Sequence, residues 1–423
     1  MKNIFYIFIF LSFSSFSQNE GNIWYFGQNA GLDFNSGVPV ALTDGQLNTL
    51  EGCASIADNN GDLLFYTDGS IVYNKNHTVM PNGFGLLGNS SSAQSAIIVK
   101  KPGSLTVYYL FTVDGASGNG GGLHYSEVDM ALQGGLGDIT SLKNIPLIAQ
   151  TCEKITAVLH QNQVDFWIIS REENSNAYYT YLLSSTGVNP TPIITNIGPV
   201  YSSTSGGYLK GSPDGSRLGA ATRGALNNVD IMNFDNSTGV MSNCITLPHT
   251  GPGCYGVEFS PNSDILYFTD HENIFQIDLL TFPLTPLQLT NFGFHSFGLQ
   301  LGPDQKIYSC VAYGTTLDVI EFPNVIGLGS NVVTDYVSLL GKICKLGLPT
   351  FFSSIFLPQI DTCTLPEANL PDTIIICDTS ITLTAESAHT YLWSTGDTTQ
   401  SIIVNQSGDY WVQVCEDNLG EVL

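Results

Sequence analysis

Six times between residues 57 and 314 the chain repeats one phrase: a turn rich in Pro, Asn, Asp or Gly, then a short apolar run, then a polar break. The copies read "ADNNGDLLFYTDG" (57–69), "KKPGSLTVYYLFTVDG" (100–115), "HQNQVDFWIISRE" (160–172), "SPDGSRLGAATRG" (212–224), "SPNSDILYFTDHE" (260–272) and "GPDQKIYSCVAYG" (302–314). Successive copies begin about 40 to 60 residues apart, the spacing of propeller blades. An apolar strand precedes each turn ("CASIA", "SAIIV", "ITAVL", "GYLKG", "YGVEF", "FGLQL"). A third run follows each break, and a weaker fourth run often closes the unit. Four short strands per unit, repeated radially, describe an all-β propeller. The two-residue periodicity excludes an α-solenoid.

Six units are complete. "NIWYFG", "AGLDFN" and "VPVALT" near the start read as second, third and fourth strands, and "LPTFFSSIFLP" (348–358) reads as a lone first strand. Together they supply a seventh blade closed by both chain ends, which removes exposed sheet edges. Six or eight blades are the alternatives. The propeller is expected over 22–358.

The flanks differ. "MKNIFYIFIFLSFSSFSQNE" places one Lys before the apolar stretch Ile4–Leu11 and small residues around Phe16. This is the layout of a signal peptide over 1–17, cleaved after Ser17. No other segment approaches membrane-span length. The proline-rich stretch 359–371 reads as a linker. Over 372–423 alternating strands with Trp393, Tyr410 and Trp411 fit a small sandwich of the immunoglobulin or polycystic-kidney-disease (PKD) type. The chain stops eight residues after Cys415, so this module is at minimum size and reads as cut short.

The phrases "EGCASIADNNGDLLFYTDG", "SSSAQSAIIVKKPGS", "GYLKGSPDGSRL" and "YGVEFSPNSDILYF" resemble the N-terminal propeller of large cell-surface proteins exported by type IX secretion in gliding bacteria. The tail "YLWSTGDTTQSIIVNQSGDYWVQV" resembles the immunoglobulin-like modules that follow it. The resemblance implies a WD-like repeat protein of the cell surface with a role in adhesion or gliding motility. The sorting domain that usually ends such proteins does not follow Cys415. The resemblance therefore leaves an extracellular or cell-surface location beside a periplasmic one.

Charge narrows the partners. With 13 Lys+Arg against 37 Asp+Glu the net charge is −24, which disfavours nucleic acid and anionic membranes. An extracellular glycan or a protein surface remains. No hydrolase signature or phosphate loop is present. The His residues at 77, 124, 160, 249, 271, 295 and 389 lack metal-ligand spacing. No cofactor is expected, with Ca²⁺ as the alternative. "DNNGD" (58–62) lacks the remaining ligands of a calcium loop and reads as a turn.

Asp68, Asp114, Arg171, Arg223 and Asp270 end the second strands of their units. Equivalent positions ring one mouth of the channel, where carboxylates and guanidiniums can hold a sugar, a peptide or Ca²⁺. The competing reading, which local chemistry favours, is that each caps its own turn.

Nine Cys in an exported chain argue for disulfides. Cys53, Cys152, Cys254 and Cys344 precede first strands, and Cys53–Cys344 is the expected staple across the closing seam. Cys377 and Cys415 are further candidates. The competing reading makes these thiols small buried hydrophobes. The function expected is a non-catalytic surface module that binds a ligand or partner. The alternatives are a carbohydrate-active enzyme, a lyase or glycosidase with its site in the funnel, and a structural spacer.

Overall fold

The computed structural model describes residues 19–115, 121–201, 206–224, 227–291, 295–357, 380–385, 390–395, 397–405, 410 and 412–415. Among them helix is confined to short 3-10 turns, and no helix is long and apolar enough to cross a membrane. Seven antiparallel sheets follow one another along the compact unit Ser17–Pro358.

Blade 1 holds Ile23–Phe26, Ala30–Asp33 and Val40–Leu42. Blade 2 holds Ala54–Ala57, Leu63–Thr67, Ile71–Asn74 and Val79–Phe84. Blade 3 begins with Ala96–Lys100, Val107–Val113 and Leu123–Asp129, and two outer strands share the third. Blade 4 begins with Thr151–Leu159, Phe166–Glu172 and Ala177–Ser184 and ends the same way. Blade 5 holds Leu209–Gly211, Arg217–Thr222, Asn228–Asp235 and Val240–Pro248. Blade 6 holds Val257–Phe259, Ile265–Thr269, Ile274–Asp278 and Leu287–Gln288. Blade 7 holds Ser296–Leu301, Ile307–Val311, Thr316–Ile320 and Val332–Ser338.

The repeated phrase has one geometry. In five copies the fourth residue donates its N–H to the first residue's carbonyl: Gly61 to Asp58, Gln163 to His160, Gly215 to Ser212, Ser263 to Ser260 and Gln305 to Gly302, at 2.8 to 3.0 Å. That fourth residue is left-handed each time, with φ between 61° and 85°. A reverse turn followed by a left-handed residue matches the twist of two antiparallel strands. The phrase therefore recurs because these five blades make the same inner hairpin.

The ring closes through seven seams. Ser55 Oγ donates to Ile23 O (2.7 Å), and the Phe65 and Tyr108 rings meet edge to face at 5.7 Å. Tyr181 OH donates to Leu147 O (2.8 Å), Trp167 Nε1 to Asn236 O (2.8 Å), Arg217 Nη1 to Ser263 O (3.0 Å) and Tyr267 OH to Pro323 O (2.8 Å). Trp24 of blade 1 meets Tyr308 of blade 7 at 5.6 Å. The first strands Ala54–Ala57, Val257–Phe259 and Ser296–Leu301 are wholly buried, whereas Leu287–Gln288 on the rim is exposed. Apolar burial is therefore concentrated toward the axis, where blades stack.

The closing segment departs from the sequence expectation. Residues 348–357 form no ladder with Ile23–Phe26. They make one parallel bridge, Cys53 to Pro349, and then a 3-10 turn, Ser353–Phe356. Pro349 has no N–H to give a ladder. The segment acts as a plug instead. Tyr208 OH accepts from Leu348 N (3.2 Å), Ser353 Oγ donates to Glu258 (3.1 Å), and Phe356 O accepts from Gln305 Nε2 (2.6 Å). Phe351 packs on Trp24 (6.0 Å) and Phe352 on Phe166 (5.0 Å). One short segment thus ties blades 1, 4, 5, 6 and 7 together.

The expected Cys53–Cys344 staple is also corrected. Cys344 is bonded to Cys310, with Cα atoms 6.1 Å apart, and Cys53 is a buried free thiol. Cys344 N donates to Gly314 O, so the chain returns along blade 7 at this point, beside the strand that carries Cys310. The Cys53 backbone carbonyl accepts from Thr350 N of the plug at 2.8 Å.

Beyond the propeller, Ile381–Thr384 pairs with Ser401–Val404, and Thr390–Trp393 pairs with Val412–Cys415. Trp393, Ile402, Val404 and Ala385 form a small core, with Trp393 Nε1 donating to Thr399 O (2.8 Å). These are two separate two-stranded sheets, and the expected immunoglobulin or PKD sandwich extends beyond what they show. The expected signal peptide (1–17), the linker (359–371), Cys377 and the Cys415 side chain lie outside the described residues.

Candidate functional site at the propeller mouth

First and second strands are antiparallel, so the start of one and the end of the other share an end of the blade. Two sets of residues therefore meet at one mouth. Glu51, Glu153 and Tyr255 sit at or just before first strands, and Arg223, Asp270 and His271 close second strands.

The five ring residues expected from sequence divide. Asp68 accepts from Ser70 N (2.9 Å), Ser70 Oγ (2.7 Å) and Ile71 N (2.9 Å), which makes it the cap of its own turn. Asp114 accepts from Gly115 N (2.8 Å), Gly121 N (3.1 Å) and Asn89 Nδ2 (3.3 Å). Asp270 accepts from Glu272 N (3.1 Å) and Asn273 N (2.8 Å) and pairs with His249 Nε2 at 2.9 Å. Local turn chemistry thus occupies all three aspartates. Arg171 is fully buried between the Tyr178 and Tyr201 rings. Arg223 is exposed and acts electrostatically on Glu51.

The residues that sequence reasoning missed are Glu51, Glu153, Tyr255 and His271. Glu51 is 7% exposed. Burial, and then the facing Glu153, push its carboxyl up to about 8, while Arg223 and Tyr255 act in the other direction. Burial and the same Glu153 also raise the Glu173 carboxyl. Glu153 is half-buried, and its Oε2 accepts from Ala93 N at 3.1 Å. Burial and Arg223 push the His271 imidazole down to about 4, with Asp270 opposing. His271 is therefore neutral at physiological pH, and it stacks on Phe297 at 4.5 Å. Tyr255 packs edge to face on the same Phe297 (5.3 Å). The plug enters beside Glu51, where a Cβ on Gly347 would fall 2.2 Å from Glu51 O.

One signal did mark this set. Glu51 and Glu153 lie within two residues of Cys53 and Cys152, and Tyr255 follows Cys254. These cysteines stand before first strands, so their polar neighbours share one end of the channel. Chemically the mouth presents a carboxyl raised to about 8 by burial and Glu153, an exposed guanidinium and a neutral imidazole. Among the described residues no group of three or more His, Cys, Asp or Glu is arranged to hold a metal ion.

The fold and its mouth define a seven-bladed β-propeller with a polar, carboxyl-bearing entrance. No family model matches the sequence, and no curated protein matches it. Solved structures share its outline. A Bacteroides uniformis protein described as a candidate 6-phosphogluconolactonase aligns with TM-score 0.47 and 12% identity over 70% of this chain and 92% of that one. A functionally unknown protein of Desulfotomaculum acetoxidans aligns with TM-score 0.47 and 12% identity over 78% and 99%. The periplasmic gluconolactonase of Pseudomonas aeruginosa aligns with TM-score 0.40 and 13% identity over 83% and 98%. Likeness at this level carries no statement about activity.

Proposed function

We propose that the propeller binds a neutral, polyhydroxylated ligand such as a glycan at the Glu51/Glu153 mouth. The observation that carries this reading is the buried Glu51 carboxyl facing Glu153. A carboxyl group that keeps its proton donates, and its neighbour accepts. Arg223 adds further donors at the rim. Vicinal hydroxyls, each both donor and acceptor, complement such a set. The chain's net charge of −24 disfavours polyanions. Titration calorimetry against neutral oligosaccharides should find binding that Glu51→Gln or Glu153→Gln weakens by tenfold or more, roughly the worth of one good polar contact. Binding that both variants retain at full strength sinks the reading.

A second reading, turnover, is favoured by the same proton. A carboxyl held near 8 beside another carboxyl group is the acid–base arrangement of glycoside chemistry. Product release from a bound oligosaccharide, abolished by Glu51→Gln, distinguishes catalysis from binding alone. Export to the cell surface and a role in adhesion or gliding rest on the N-terminal apolar layout and the sequence resemblance. Cell fractionation with N-terminal sequencing tests the export step, and a mature protein that retains Met1 rejects it.

A further inference from the structure

Arg171 ends the second strand of blade 4, directly across from Tyr178 in the ladder. It has no exposed surface. Its guanidinium lies 5.2 Å from the Tyr178 ring and 4.3 Å from the Tyr201 ring. Nη2 donates to Ser175 O at 2.9 Å and to Pro199 O. Among the described residues, Nε and Nη1 meet no acceptor, and neither does the Tyr178 hydroxyl. A buried guanidinium with most of its donors unmade costs several kcal/mol in general, and folded proteins rarely leave it so.

The neighbouring charges do not meet the need. Asp230 is the nearby carboxyl group, but its oxygens are taken by Tyr201 OH (2.7 Å) and Thr246 Oγ1 (2.7 Å). Burial raises its pKa, while Thr246, Tyr201, Arg171 and Lys154 oppose. Lys154 adds a second buried cation; burial pushes its ammonium down to about 8 and Arg171 adds to this, while Cys152, Glu153 and Asp230 oppose. The ammonium donates to Gly206 O, Gly207 O and Ala221 O at 2.7 to 3.0 Å. Two buried cations thus share Asp230, which is already engaged, and Glu153 acts on Lys154.

We propose that the seam between blades 4 and 5, beside Arg171, is a binding site for a small monovalent anion. The anion accepts from Arg171 Nε and Nη1 and from the Tyr178 hydroxyl. Water can satisfy the donors but brings no charge, and among the described residues Arg171 makes no ion pair with a carboxylate, which is why the structure favours an anion. The chemistry is one negative charge with several acceptor directions, supplied by a free halide or by a carboxylate. The site is set by Arg171 and Tyr178, and its test does not depend on what binds at the mouth.

The test uses the full chain at constant ionic strength, held with sodium sulfate, with sodium bromide or sodium formate titrated in. The melting temperature should rise and go on rising with the logarithm of anion concentration once the site fills. Arg171→Met should remove that response, and Arg223→Gln should keep it. A bromide response points to a free ion, and a response to formate alone points to the carboxylate of a larger ligand. Both support the site. If Arg171→Met does not fold, crystals of the unsubstituted protein grown in bromide decide, through an anomalous peak beside the guanidinium. Melting that is indifferent to anion identity, or a map with water only at Arg171, overturns the proposal.

Discussion

The Lys210 ammonium lies 3.0 Å from the Glu258 carboxylate, and neither side chain is exposed. The two residues belong to first strands of blades 5 and 6, so the pair bridges a seam near the axis. Burial lowers the pKa of Lys210, and Glu258 opposes the shift. Gln300 of blade 7 also accepts from Lys210, and Glu258 accepts from Leu301 N and Ser353 Oγ. The first strands and the plug therefore share one buried polar network.

Removing one partner of such a pair leaves the other charged and dry. Lys210→Met should cost about 3–5 kcal/mol in urea unfolding. Adding Glu258→Gln should recover part of that loss. A double variant whose cost equals the sum of the two single costs would show that the pair is not coupled.

Glu51 makes stability fall as pH rises from about 4 to about 8. Its folded pKa, about 8, lies above that of a glutamate in an unfolded chain, about 4.3. Below about pH 4 both states hold the proton and nothing is lost. As pH rises from there, only the unfolded state releases it, so stability falls until pH passes about 8. The full loss is on the order of 3–5 kcal/mol. Glu51→Gln should flatten this decline in a series of thermal melts. Parallel profiles for variant and parent would remove Glu51 as the cause.

The Cys310–Cys344 bond closes a loop with a sequence separation of 34. In the chain-entropy model it contributes about 4 kcal/mol. Reduction should lower the melting temperature, and non-reducing peptide mapping should find 310 joined to 344. Cys53 should resist alkylation until the chain unfolds, because it is fully buried. Rapid labelling of Cys53 in the folded protein contradicts this placement.

Phe351 anchors the plug between Trp24 and Phe356, at 6.0 and 5.3 Å. Phe351→Ala should cost about 3–5 kcal/mol, the usual range for a truncated buried aromatic. Proteolysis should then begin near the plug. An unchanged melting temperature would mean that the plug contributes nothing to ring closure.

Blade number and the inner hairpins were legible in the sequence because both rest on local patterns. Alternation buries one face, and the turn phrase fixes a left-handed residue such as Gly61 or Gly215. The plug was not legible. "LPTFFSSIFLP" reads as a short apolar strand, and only three-dimensional context shows Ser353 reaching Glu258 rather than extending a ladder. The cysteine pairing failed for the same reason, since the return of the chain along blade 7 sets which thiols meet. At the mouth, Asp68 and Asp114 stood out because turns favour Asp, and turns are what they serve. Glu51 and Glu153 form no motif in a linear reading, and only the stacking of blades brings their charges together.

The seam between blades 1 and 7 also dictates an order of assembly. Asn48 and Lys345 hydrogen-bond across 297 positions of chain, and Trp24 waits for Tyr308 and Phe351 before its faces are covered. Local hairpins can form as soon as each is complete, but closing a loop this long must come late. Until then "IWYF" is an open, sticky edge. The last turn of the ring, more than any single blade, is therefore the step at which a folding chain commits to the native ring or aggregates.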